Sequence, residues 1–384
     1  MLKHTGWKSV VLLRPSFLLA IILGGQFILS MAFMSGLVST LRLQPRSFPF
    51  VGFLHLLMFN VFVICLMAIY ERMKFSKIKT SPHWGYFGHS VLPVITAGVL
   101  MAIGIYGFLN VLICLPQESI GQYLLLGIKG RWRSYIPWGQ GFTILHVAPQ
   151  IAVILSMVLI RKRIWKIVIM MISLGVVTAY SFIYMARIML MAPLIAILIL
   201  GIRKKFYPAR IPRRIVIMFV VLLIFLNVLQ QGFRDYEVMG QEYTKSVIKW
   251  GFSRMAEYYI ATCVFSAYIC SFAGTIEPLP PRFYFGTPEY TNMGSLGQLW
   301  NSFGIAYPLV LLGIWYLVSK YWQRFDKGYT DGLIVFPFLF YSLLEVPRIF
   351  EFTTVTGGVR LGLLVFCGWL FRNVCVPGVL HIKR

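Results

Sequence analysis

Negative charge is what this chain has least of: Asp and Glu together supply 12 of 384 residues, against 36 Lys and Arg. Charged residues of either sign make up only 12% of the chain and hydrophobic ones 58%, which leaves too little polar surface to clothe a soluble domain. The shortage argues against a soluble enzyme and for an all-α, polytopic integral membrane protein. The formal charge of +24 would argue for nucleic acid in a soluble chain. Here most Lys and Arg sit in short segments between apolar runs, where they set topology, so no nucleic-acid partner is expected.

Other absences remove further classes. The six cysteines (Cys65, Cys114, Cys263, Cys270, Cys367 and Cys375) lie mostly in apolar segments, and no pair has the Cys-x-x-Cys spacing of a zinc or redox site. No Walker loop, His-Glu-x-x-His or Gly-x-Ser-x-Gly stands in the chain, so P-loop, zinc-hydrolase and serine-hydrolase chemistries lack a sequence warrant. No repeat of fixed period relates the two halves, which disfavours a transporter built by duplication. Asp235-Tyr236-Glu237 is the nearest approach to a metal-holding pair, and a lone Asp-x-Glu arises often by chance. Neither a metal nor a cofactor is expected.

What the chain has is apolar length. Windows long enough to cross about 30 Å of hydrocarbon occur at 17–40, 48–70, 91–115, 141–160, 167–185, 188–202, 214–231, 300–319, 331–346 and 355–376, which predicts ten spans in one transmembrane domain covering 1–384. Lys3, Lys8 and Arg14 precede the first apolar run, which is longer than a cleavable signal's core and reads as an uncleaved span. With a cytoplasmic N-terminus, 23 of the 36 basic residues fall inside and nine of the twelve acidic ones outside, so both termini are expected in the cytoplasm. A large extracytoplasmic loop, 232–299, then joins spans seven and eight and carries amphipathic helices. The apolar stretch 258–272 is short for a crossing, and a full one would reverse the charge balance of every later loop. It reads instead as a helix against the bundle or at the interface.

Carboxylate chemistry is therefore expected outside, where 13 basic residues remain despite the topological bias. Arg42, Arg46 and Arg282 read as interfacial anchors. Arg187 lies in SFIYMARIMLMAP with almost no loop around it, a position that costs roughly 2–3 kcal/mol unless the charge faces protein or water. Glu345, Arg348 and Glu351 recur every three residues. On a helix, which Pro347 opposes, they would form an ion-pair ladder. Alternatively Arg348 and Arg360 converge on a phosphate-bearing ligand. In 234–259, Arg234, Lys245, Lys249 and Arg254 alternate with Glu237 and Glu257 and with Trp250 and Tyr258. Arginines there could hold a diphosphate, Glu237 or Glu257 could take a proton from a hydroxyl, and the aromatic faces could stack on sugar rings. A solvated amphipathic helix on the membrane is the structural alternative. Each glutamate stands three residues from an arginine, Arg234 or Arg254, which equally suits a plain ion pair. His55 and His146 fall within apolar windows and read as hydrogen-bonded packing rather than a proton relay. Pro93, Pro149, Pro193, Pro308 and Pro337 mark kinks.

After the long outer loop come Leu279-Pro280, Gly294-Ser295-Leu296-Gly297, Trp300, Phe303-Gly304 and Gly313, and earlier Arg187 stands before a span that ends in Arg203-Lys204-Lys205. This order resembles the O-antigen (oligosaccharide repeat-unit) polymerases, the Wzy family, over about half of the chain. Asn301 stands where such polymerases often have an acidic residue before Phe-Gly, so no catalytic role passes to it. The resemblance implies a glycosyltransferase of polysaccharide and lipopolysaccharide biosynthesis in the bacterial inner membrane. It would move a glycan block from undecaprenyl diphosphate to a sugar hydroxyl of an incoming lipid-linked unit on the periplasmic face, working beside a flippase and a chain-length regulator. Fixed positive charge outside then has a purpose, since both substrates carry a diphosphate there. A lipid-linked oligosaccharide flippase or polysaccharide exporter, and an O-antigen ligase-like transferase, are the competing classes.

Overall fold

The computed structural model describes residues 13–37, 50–73, 91–114, 142–160, 162–184, 187–202, 221, 225, 256–257, 259–267 and 294–373. The described residues contain helices and turns and no strand. Six helices among them are long and apolar enough to cross a membrane, so the chain is an α-helical membrane protein. The helices fall into two compact units.

The first unit contains α1 (Pro15–Met34), α2 (Phe50–Arg72), a helical segment at 259–267, α7 (Gly294–Phe303) and α8 (Tyr307–Asp326). Ser16 at the start of α1 donates from its backbone nitrogen and hydroxyl to the Glu71 carboxylate at the end of α2, 2.8 and 2.7 Å away, so these helices run antiparallel. Between α2 and α8 the polar contacts repeat in steps of four. Trp315 Nε1 donates to the Val63 carbonyl (3.1 Å), Ser319 Oγ to Met67 Sδ (3.4 Å) and Gln323 Nε2 to the Glu71 carbonyl (3.3 Å). Steps of four keep one helical face in register, so α2 and α8 lie parallel. The start of α1 and the ends of α2 and α8 therefore share one end of the unit, and Arg14, Arg72, Lys320, Arg324 and Lys327 sit there. Arg324 is buried at that end, with Nε 2.5 Å from Asp331 Oδ2 and its guanidinium 5.0 Å from the Tyr329 ring.

The second unit contains α3 (Leu92–Cys114), α4 (Val147–Leu159) with a 3₁₀ turn before it, α5 (Arg163–Tyr184), α6 (Arg187–Ile202) and α10 (Val355–Asn373). α4 is its axis, touched by α3, α5, α6 and α10. All of its residues but one are buried, and at 13 residues it is shorter than the expected window 141–160, because a helix enclosed by protein need not match the bilayer. Close approach to α3 depends on Gly104, where a Cβ would stand 2.5 Å from Pro149 Cδ. Pro193 interrupts α6 and leaves the Met189 carbonyl without its helical donor, as Pro does to the residue four back. Gln150 of α4 supplies the missing donor from Nε2 at 2.7 Å.

α9 (Thr330–Glu345) is shared, its ends in the first unit and 333–341 in the second. Every residue from 331 to 343 is buried. The windows 188–202 and 331–346 thus hold helices of 16 residues each, and 214–231 lies outside the described residues apart from 221 and 225. The window 300–319 is displaced to α8, because Gly304 takes φ +52°, ends α7 and lets Pro308 open a new helix.

Candidate functional site

Polar groups gather in the first unit around the nine residues, 346–354, that connect α9 to α10. Pro347 keeps this connection from continuing as a helix, so its carbonyls need donors from elsewhere. They find them on three other elements. The Val346 carbonyl accepts from the Ser295 hydroxyl on α7. The Pro347 carbonyl accepts from Gln26 Nε2 on α1 at 2.8 Å, with the Thr262 hydroxyl of segment 259–267 also in reach at 3.2 Å. Gln298 of α7 clasps Phe350 from both sides, taking its backbone N–H at 2.9 Å and donating to its carbonyl at 3.4 Å, and also donates to Thr353 Oγ1 at 3.0 Å.

Four charged residues are buried in this unit beside those contacts: Glu257 (1% exposed), Glu345 (8%), Arg348 (9%) and Glu351 (2%). Arg348 Nε donates to Glu345 Oε2 at 2.7 Å, and its backbone N–H caps the Glu345 carbonyl at 2.9 Å. The ion-pair reading of this spacing is therefore realised for Glu345 and Arg348, on a turn rather than a continued helix. Glu257 stands two residues before Tyr259, whose carbonyl accepts from Gln26 Nε2 at 2.8 Å. Gln26 thus bonds at once to the strand of chain beside Glu257 and to the residue before Arg348. A carboxylate and a guanidinium held in apolar surroundings are costly to place and are strong markers of function in membrane proteins.

Arg360 belongs to the second unit, on α10, where it is 1% exposed and lies with its guanidinium 4.8 Å from the Phe338 ring centroid. Arg187 is the first residue of α6, and only its backbone position is described. Arg234, Glu237, Trp250, Arg254 and Tyr258 lie outside the described residues, as does most of the loop 232–299. His146 is buried against the Tyr180 ring, 6.0 Å between centroids, whereas His55 is on the exposed face of α2. Among the described residues no group of three or more His, Cys, Asp or Glu could hold a metal ion.

Gln26, Thr262 and Gln298 carry no charge and do not stand out in the sequence, where Ser295 figures only within Gly294-Ser295-Leu296-Gly297. Gln26 had a signal of its own, since it is the one amide inside the apolar run of α1. Gly294 and Gly304 stand at the two ends of α7. Gly294 opens α7 at φ +69°, and a Cβ on it would meet the Ser266 hydroxyl and stand 2.8 Å from the Thr262 carbonyl, so α7 can seat Ser295 and Gln298 only with glycine here. Gly304 has open space around its Cβ position, and its backbone angle alone calls for glycine.

The fold and this buried polar cluster define the class, a helical membrane protein with charged groups held inside it. Comparison with family models, with curated proteins and with solved structures yields no match.

Proposed function

We propose that this chain is a glycosyltransferase of the bacterial inner membrane that joins undecaprenyl-diphosphate-linked oligosaccharide repeat units by block transfer on the periplasmic face. The observation that carries the proposal is the buried set Glu257, Glu345 and Arg348 in the first unit, tied together through Gln26. In the reaction an acceptor hydroxyl oxygen bonds to the anomeric carbon of the growing glycan while the bond from that carbon to the diphosphate breaks. The hydroxyl proton passes to a carboxylate, Glu257 or Glu237. The leaving diphosphate gains charge, which Arg348, Arg360, Arg187, Arg234 and Arg254 are assigned to stabilise by charge-assisted hydrogen bonds. Trp250 and Tyr258 would stack on the sugars.

The topology of this reading has ten spans, both termini in the cytoplasm and 232–299 in the periplasm. Support for it comes from the basic residues gathered at one end of the first unit, which is the cytoplasmic end by the positive-inside rule. The pair Glu345–Arg348 lies at the far end of α9, about 24 Å away at 1.5 Å per residue, where the periplasmic face would be. The partners are the lipid-linked glycans, the bilayer, and the flippase and chain-length regulator of the same pathway.

Deletion of the gene, followed by gel analysis of surface polysaccharide, tests the proposal. Products carrying a single repeat unit are expected. Loss of all repeats, with lipid-linked units held on the cytoplasmic face, would make the chain a flippase, and long polymer stranded on its lipid carrier would make it a ligase.

A further inference from the structure

Resting on the polymerase reading, we infer that Gln26 and Thr262 are positioning residues that hold the Glu257 carboxylate and the Arg348 guanidinium in one fixed arrangement. Gln26 projects from the middle of an apolar helix and is 9% exposed. Its Nε2 has three oxygens within bonding distance: the Tyr259 carbonyl at 2.8 Å, the Pro347 carbonyl at 2.8 Å and Thr262 Oγ1 at 3.1 Å. The Thr262 hydroxyl accepts from Gln26 and has the Tyr259 and Pro347 carbonyls, at 3.0 and 3.2 Å, as its own acceptors. Two side chains thus join two stretches of chain that lie 85 residues apart, one bearing Glu257 and the other Arg348. Neither Gln26 nor Thr262 is charged, so neither takes the proton or offsets the charge of the diphosphate. Their effect passes through the groups they hold.

Packing alone does not call for this arrangement. A leucine at 26 and a valine at 262 would fill similar volumes in the same apolar bundle, though together they would leave the Pro347 carbonyl without the donors it has here. What the amide and hydroxyl add is register. Donors fixed at both carbonyls prevent the 346–354 connection from sliding against segment 259–267, and a shift on the order of 1 Å between reacting groups can lower a rate about 10²-fold. Gln298 and Ser295 anchor the same connection from α7. The clamp of Gln26 and Thr262 ties that connection to the helical segment next to Glu257.

The test uses the full-length chain in proteoliposomes, with lipid-linked repeat units extracted from cells lacking the gene as the substrate. Gln26→Leu and Thr262→Val are compared with wild type, with Thr262→Ser as the conservative partner and Thr96→Val, which removes a hydroxyl bond within α3, as the control. The expected result, per mole of folded protein, is KM within about twofold of wild type and kcat lower by about 10²-fold in Gln26→Leu and Thr262→Val, with Thr262→Ser keeping kcat near wild type. Hydrogen exchange at the amides of Arg348, Ile349 and Phe350 should quicken in the same two variants. Wild-type kcat in Gln26→Leu, or unchanged exchange at those amides, overturns the inference and leaves the polymerase reading standing. A wild-type chain that does not lengthen the extracted glycolipid overturns both.

Discussion

Arg348 shows what a charge costs and does at the scale of one residue. Its Nε lies 2.7 Å from Glu345 Oε2, and each side chain is about one-tenth exposed. Removing one member of such a pair leaves the other buried without its countercharge, at a cost of about 3–5 kcal/mol, whereas removing both is far milder. Arg348→Met should therefore lower stability in detergent by about 3 kcal/mol or more, and adding Glu345→Met should recover most of the loss, read as the midpoint of chemical unfolding. A second prediction concerns the outer arginines assigned to the diphosphate. Lys keeps the charge but loses the planar fork, so Lys at 187, 234 or 254 should leave membrane abundance normal and shorten the polymer on gels. Long polymer in all three variants would reject that assignment. Buried charge was legible in the sequence because each of the few carboxylates stood out. The uncharged donors were not, since Gln26 and Thr262 acquire their role only through carbonyls that Pro347 and the segment at Tyr259 expose to them.

At the scale of the element, helix type was legible and helix length was not. Apolar runs specify helices, but α4 is shorter than its window because protein encloses it, which an apolar run alone does not reveal. The break between α7 and α8 was half visible in Gly304 and Pro308, and its cause is the positive φ of Gly304 rather than close packing. Gly304→Ala should cost about 1–2 kcal/mol from the backbone alone. Gly304→Leu should lower the yield of folded protein. Gly294→Ala should cost more than Gly304→Ala, because its Cβ also meets Ser266 and Thr262. Equal loss at both positions, measured by thermal aggregation in detergent, would contradict this account. The α6 proline supplies a cleaner case. Gln150→Leu should destabilise by about 1–3 kcal/mol by stranding the Met189 carbonyl. In a Pro193→Ala background the same change should cost much less, since the helix then provides its own donor.

Across the whole molecule the question is which face the charges define. On the proposed topology, the excess of basic residues between alternate apolar runs would put 232–299 outside. In a chain cleared of its six cysteines, a cysteine at 246 in place of Ser246 should react with an impermeant thiol reagent in intact spheroplasts, and one in place of Ser76 should not. The reverse pattern would sink the topology and the periplasmic site with it. Lengthening of a glycan by this chain alone is the proposed activity, and one measurement reaches it directly. The purified chain, reconstituted in liposomes with lipid-linked single repeat units and no other protein, should convert them into a ladder of products on a gel, each rung one repeat unit longer than the last. Single repeat units that remain unchanged, or that merely cross to the other leaflet, would contradict it.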